Sequence, residues 1–196
     1  GATLFNTGGG VQGDYKSTTG STIWDASLTP AYHNDVIGIG RDDTQDLMQK
    51  QSHSFDDITR VYLDNLMTYN AANTGVFSSN VSYVMAGHNN GAMCSSAAAN
   101  NEVPPNSGIT SRLTREWKVT KTNMSDSISF DFKTSNCGVF SNVSCLKLLV
   151  DDNGVFTNST VYGPGNGLVF NNVNGLITVS GISNLQLPDN STNYIT

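Results

Sequence analysis

The stretch Ile128-Ser129-Phe130-Asp131-Phe132-Lys133 decides the fold. Its apolar members recur at every second position, the period of a strand with a buried face and a solvated face. A helix would need spacings of three and four. Glu116 to Thr122 repeats the pattern upstream, with Trp117 and Val119 set against Lys118 and Thr120. Downstream, Leu146–Val150, Val161–Tyr162, Leu168–Phe170, Leu176–Val179 and Leu185–Leu187 read as further short strands. Asp152-Asn153-Gly154 and Pro164 to Gly167 supply turns between them. Many short strands with turn punctuation predict an all-β chain, an antiparallel β-sandwich of Greek-key or jelly-roll type with long polar loops.

The first half is less regular. Asp35 to Arg41 reads as a strand whose Gly38 and Gly40 admit the close approach of another backbone. Arg60 to Leu66 and Val81 to Ala86 are the next strands, joined by a polar connection over 70–80. Asp43 to Ser54 lacks a sustained apolar stripe and is expected to form a turn. Residues 87–111, rich in Gly, Asn and Ser and carrying Pro104-Pro105, predict a long surface loop. Residues 1–33, with Tyr15, Trp24 and Tyr32 as isolated anchors, read as an extended lead-in joining a core domain over 34–196.

Composition narrows the function. Only 13% of the 196 residues are charged, and 10 basic against 16 acidic groups give a net charge of -6. Polar weight falls instead on 23 Asn, 22 Ser and 20 Thr. A nucleic-acid-binding face is not expected from so few scattered cations. No apolar run reaches the length of a membrane span, so membrane insertion is not expected either. The balance favours an extracellular or cell-surface setting.

Several residue groups could carry chemistry. Cys94, Cys137 and Cys145 allow one internal disulfide, and Cys137 with Cys145, flanking a seven-residue segment, are the expected pair. Three reduced thiols are the alternative. Asp151, Asp152 and Asn153 offer oxygens on one turn to a Ca2+ ion, but an EF-hand is excluded because its twelfth position would be Tyr162. The alternative there is a hairpin whose side chains cap their own backbone. Arg41-Asp42-Asp43 suggests a buried ion-pair network reaching Lys50 or Arg112, with metal binding by the two aspartates as the other reading. Trp24, Tyr32 and His88 are candidate glycan contacts: the aromatics as a stacking platform, and His88, in the turn His88-Asn89-Asn90-Gly91, as part of a polar rim with Asn34. His33, His53 and His88 are scattered and no serine has a Gly-x-Ser-x-Gly context, so no catalytic residues are assigned.

Six pieces taken together resemble a repeated β-domain of large secreted, adhesin-like surface proteins of Bacteroidota. They are Trp24-Asp25-Ala26, Tyr32 to Asp43, Gln49 to Ser52, Gly87 to Ala92, Arg112 to Val119 and Leu148 to Phe156. Their order and separations fit from about residue 14 to 182. One departure concerns metal. The turn that often reads Asp-x-Asp-Gly-Asp-Phe in similar domains is Asp151-Asp152-Asn153-Gly154-Val155-Phe156 here, so an inherited calcium site is weakened. The resemblance implies a non-enzymatic structural or adhesion module of a larger surface or filament protein. Neighbouring modules and surface glycans are its expected partners. The alternative is a carbohydrate-binding module attached to a secreted enzyme.

Overall fold

Ile128, Phe130 and Phe132 point into the core, as their period requires, while Ser129 and Asp131 on the opposite face are covered by other groups. The computed structural model describes residues 14–94, 102–134 and 142–196, together with the backbone of β1 (Asn6–Thr7) and β2 (Val11–Gln12), which pair with each other. The strands that follow are β3 (Tyr15–Lys16), β4 (Thr22–Trp24), β5 (Asn34–Asp42), β6 (Leu47–Gln49) and β7 (Gln51–His53). Next come β8 (Thr59–Tyr62), β9 (Ser82–His88), β10 (Trp117–Thr122), β11 (Ile128–Lys133) and β12 (Leu148–Asp151). The series ends with β13 (Thr160–Tyr162), β14 (Val169–Val173), β15 (Leu176–Ile182) and β16 (Thr192–Ile195).

Two antiparallel sheets face each other. One has seven strands in the order β13-β12-β16-β10-β9-β5-β6 and the other five in the order β14-β15-β11-β8-β7. The core between them joins Ile37, Val84, Trp117 and Val150 of the larger sheet to Val61, Phe130, Ile177 and Val179 of the smaller. The expected all-β sandwich is therefore the observed fold. The chain passes repeatedly from one sheet to the other, so pairs of consecutive strands alternate within each sheet with neighbours distant in sequence, such as β5 with β9 and β12 with β16.

A further layer covers the outer face of the large sheet. The β3–β4 hairpin packs Ile23 and Trp24 against Tyr83 and Met85 of β9. Gly38 and Gly40 owe their small size to this arrangement. A Cβ on Gly38 would lie 2.3 Å from Met85 Sδ, and one on Gly40 would lie 2.5 Å from Tyr83 Cδ1. The close approach expected of another backbone is thus made chiefly by the side chains of the paired strand.

Two sequence expectations change, and one strand is added. Asp43 to Ser54 is not merely a turn: after a short 3-10 segment it forms β6 and β7, and the chain crosses from one sheet to the other at Lys50. Leu185–Leu187 is not a strand but part of a turn in which the Leu187 amide donates to the Ser183 carbonyl (3.0 Å). Thr192–Ile195, which carries no clear period, is a central strand between β10 and β12.

The cysteine pairing also changes. Cys145 keeps a free, exposed thiol at the end of a short 3-10 turn, while Cys94 is disulfide-bonded. The expected Cys137–Cys145 bond is therefore not formed, and Cys137 itself lies outside the described residues.

Candidate functional site

Two strands, a turn and the segment before β10 bring a polar cluster together at one end of the sandwich. His88 ends β9 and is 1% exposed; Asn34 pairs with it across β5. The register shifts between Asn34 and Ile37, and Asp35 adopts φ 45° in that irregularity. A bulge of this kind re-aims a side chain. Here it turns Asp35 Oδ2 to within 3.3 Å of His88 Nε2. Asp56 comes from the β7–β8 turn, where its Oδ1 accepts from the Ser54 hydroxyl (2.5 Å) and the Ile58 amide (3.1 Å). Its Oδ2 accepts from Arg115 Nη1 at 3.0 Å and lies 3.9 Å from His88 Nε2.

The hydrogen bonds assign the histidine tautomer. His88 Nδ1 accepts from the Asn90 amide (3.0 Å), so the ring proton sits on Nε2 and faces Asp35. Burial, then the Arg115 charge, hold His88 below its ordinary value against the pull of Asp35 and Asp56. Burial pushes the Asp56 carboxyl up. The Ser54 hydroxyl, the Ile58 amide and Arg115 outweigh it and keep the group below the usual carboxylate range. Arg115 is held from behind as well, with its Nε donating to the Gly91 carbonyl (2.7 Å).

Asp35, Asp56 and His88 offer three donor atoms within 4.8 Å of one another, so the group could chelate a divalent cation. One imidazole nitrogen with two carboxylates suits zinc-like ions; calcium takes oxygen ligands alone. Binding would displace the Nε2 proton. It would also meet the Arg115 guanidinium, which lies 3.3 Å from that nitrogen and already neutralises Asp56.

The residues singled out from sequence are placed differently. Asp151 Oδ1 accepts from the amides of Asn153 (2.8 Å), Gly154 (2.7 Å) and Val155 (3.1 Å), and Asn153 Oδ1 accepts from Val155 (2.8 Å). These side chains face their own turn, while Asp152 is exposed. Trp24 and the Tyr32 backbone meet at Gly87, where an added Cβ would lie 2.3 Å from the Tyr32 carbonyl oxygen and 3.0 Å from Trp24 Cζ2, while His88 turns to the other face of β9 against Trp117. Yet Trp24 is 2% exposed, lies beneath Lys118 Nζ (4.5 Å to the ring) and donates to His33 Nδ1 (3.2 Å). Tyr32 donates to Glu116 Oε2 at 2.6 Å. A sugar-stacking platform made of these three is therefore not presented to solvent.

Arg41 pairs with its neighbour Asp43 (2.8 Å) and reaches neither Lys50 nor Arg112. Asp42 is buried and accepts from the Thr18 hydroxyl (2.8 Å), the Thr18 amide (3.1 Å) and the Tyr83 hydroxyl (2.6 Å). Asp35, Asp56 and Arg115 escaped the sequence reading because they lie in three separate segments. The one local hint was that Asn34, Asp35 and the His88 turn fell inside stretches already singled out.

A second feature opens between the sheets. A cavity of about 450 Å³ is lined by Trp117, Phe132, Phe170 and Ile177, with Arg112 and Cys145 among its polar lining. Trp117 separates it from the His88 cluster, its ring 6.4 Å from the imidazole. Arg112 is held by Glu102 and by Glu116 (2.8 Å) and lies over the Phe156 ring (4.7 Å). No curated protein and no solved structure matches the chain. A family model does match, over residues 1–188, and by it the chain belongs to a domain of unknown function, DUF8202.

Proposed function

We propose that the chain is a non-catalytic architectural module of a larger exported surface protein, in contact with neighbouring modules of the same or identical chains. One observation carries this reading: buried carboxylates act as internal acceptors that tie separate segments of the fold together. Asp42 ties the lead-in hairpin to β9, and Asp131 accepts from Tyr62 of β8 (2.8 Å) and Thr178 of β15 (2.7 Å). The resemblance to repeated surface domains supports the same conclusion. So does β14, an edge strand of its sheet among the described residues, which carries exposed Val169 and Val173 and no charge. Uncharged edges of this kind accept further strands. A divalent ion at Asp35, Asp56 and His88 would be structural here, and glycan contacts would be weak and multiplied by neighbouring copies.

Sedimentation and electron microscopy of the purified chain test the reading. Concentration-dependent assembly that Val173→Lys abolishes is the expected result. A monomer at every concentration that also cleaves members of a polysaccharide panel would overturn it. The cavity favours a second reading, a binding module for a small apolar ligand. Quenching of tryptophan fluorescence by a medium-chain fatty acid, lost in Ile177→Trp, would support that one.

A further inference from the structure

Lysine is rarely buried without an anionic partner, because removing an ammonium from water is costly. β10 buries one. Trp117, Val119 and Lys121 share the inward face of this strand, and Lys121 is 2% exposed. Among the described residues no carboxylate lies within ion-pair distance of its amine. Its hydrogen-bond partner is the side-chain amide of Asn184, with Nζ 2.6 Å from Oδ1.

Asn184 is held where it is by a tight turn after β15. The Ser183 amide and hydroxyl both donate to Gln186 Oε1 (3.0 Å each), and the Gln186 and Leu187 amides donate to the Ser183 carbonyl (3.2 and 3.0 Å). Ile182 and Leu187, on either side of the turn, are fully buried. A buried amine from the seven-stranded sheet thus meets the carboxamide of an exposed residue whose turn is anchored to the five-stranded sheet. Burial lowers the affinity of this amine for its proton, against the milder pull of Asp189 and Asp126. A neutral amine is a nucleophile, and the carbon beside the contacted oxygen is its electrophile.

We propose that Lys121 and Asn184 condense into an intramolecular isopeptide bond that staples the two sheets together. The Nζ lone pair attacks Asn184 Cγ, an Nζ–Cγ bond forms, and the Cγ–Nδ2 bond breaks. One proton passes from Nζ to the departing nitrogen, which leaves as ammonia, so no oxidant, reductant or cofactor is required. The carboxylate charge of Asp189 acts on the amine from beyond ion-pair distance. Its Oδ1 is fixed by the amides of Met124 (2.6 Å) and Asn190 (2.8 Å). Fixed geometry of this kind replaces the entropy that a bimolecular amide exchange would have to lose. The bond removes the buried ammonium and closes a covalent ring across the sandwich. It stands on this pair's own geometry and not on the surface-module reading.

Mass spectrometry of the purified, reduced and denatured chain tests it. The expected mass is lower than the sequence mass by one ammonia, and Lys121→Arg and Asn184→Ala each restore the full value. A tryptic map should show no cleavage after Lys121 and one branched peptide containing both residues. A succinimide at an Asn-Gly step such as Asn174-Gly175 would lose the same ammonia but leave Lys121 cleavable. An unmodified wild-type mass, or normal cleavage after Lys121, overturns the proposal. Since the wild-type map decides, a variant that fails to fold does not blur the result.

Discussion

The two ends of β5 use carboxylates in opposite ways. At one end Asp42 is enclosed by neutral donors, two hydroxyls and an amide, with no cation in contact among the described residues. At the other, seven residues and some 20 Å away along an extended strand, Asp35 belongs to a cluster balanced by Arg115. The first site is closed, because every donor belongs to the fold. The second holds its charge with a side chain that another cation could replace. A buried acid therefore indicates architecture when hydroxyls and amides surround it. It indicates a candidate binding site only when its counter-charge is exchangeable.

The largest effect should come at the closed end. Asp42→Ala strands the Tyr83 hydroxyl and the Thr18 amide, and urea denaturation should show a loss of about 3 kcal/mol. Asp42→Asn keeps an acceptor and should cost less. If both variants unfold like wild type, the contrast between the ends disappears.

At the open end, Arg115→Ala should cost about 2 kcal/mol, because Asp56 loses its ion pair in a half-covered setting. The same change should tighten zinc binding about tenfold by calorimetry, since it removes the competing cation. Unchanged zinc affinity would mean that Arg115 does not hold the cation position. The turn at Asp151 should matter less than either end. Asp151→Ala should cost about 1 kcal/mol, since water can reach the exposed Asn153 and Val155 amides. Smallest of all, thermal midpoints in calcium and in chelator should differ by less than about 3 °C, and a shift above about 10 °C would restore a calcium site to that turn.

How legible this was in the sequence follows from where information sits along the chain. Ile128 to Lys133 announced itself because one strand buries every second side chain against the opposite sheet. Thr192–Ile195 did not, although it is central. Short polar strands owe their place to neighbours such as Trp117 and Val150 rather than to their own pattern. β6 and β7 were hidden for a related reason: an edge that changes sheets at Lys50 never presents one face long enough to show a period. Trp24 and Tyr32 were misread in exposure, because sequence cannot show that Lys118 lies over the one and Glu116 accepts from the other, and His88 lies apart from them against Trp117. The Asp35, Asp56 and His88 cluster depends on a bulge, a turn and a strand end meeting, and no local signal encodes that meeting.

The central claim is that the buried carboxylates of this sandwich serve as internal acceptors that hold its strands and layers together. Asp42 is its clearest case. Burial pushes this carboxyl up, but the Tyr83 and Thr18 donors more than offset that and leave it below its ordinary value of 3.8. A group depressed in the folded state stabilises the fold at pH values above the unfolded value, and that contribution is lost as pH falls through the folded one. Carbon-13 NMR titration of the Asp42 side-chain carboxyl reads this directly. A midpoint below 3.8, with an acid limb of stability that flattens in Asp42→Asn, is the predicted result. A midpoint at or above 3.8 would contradict it.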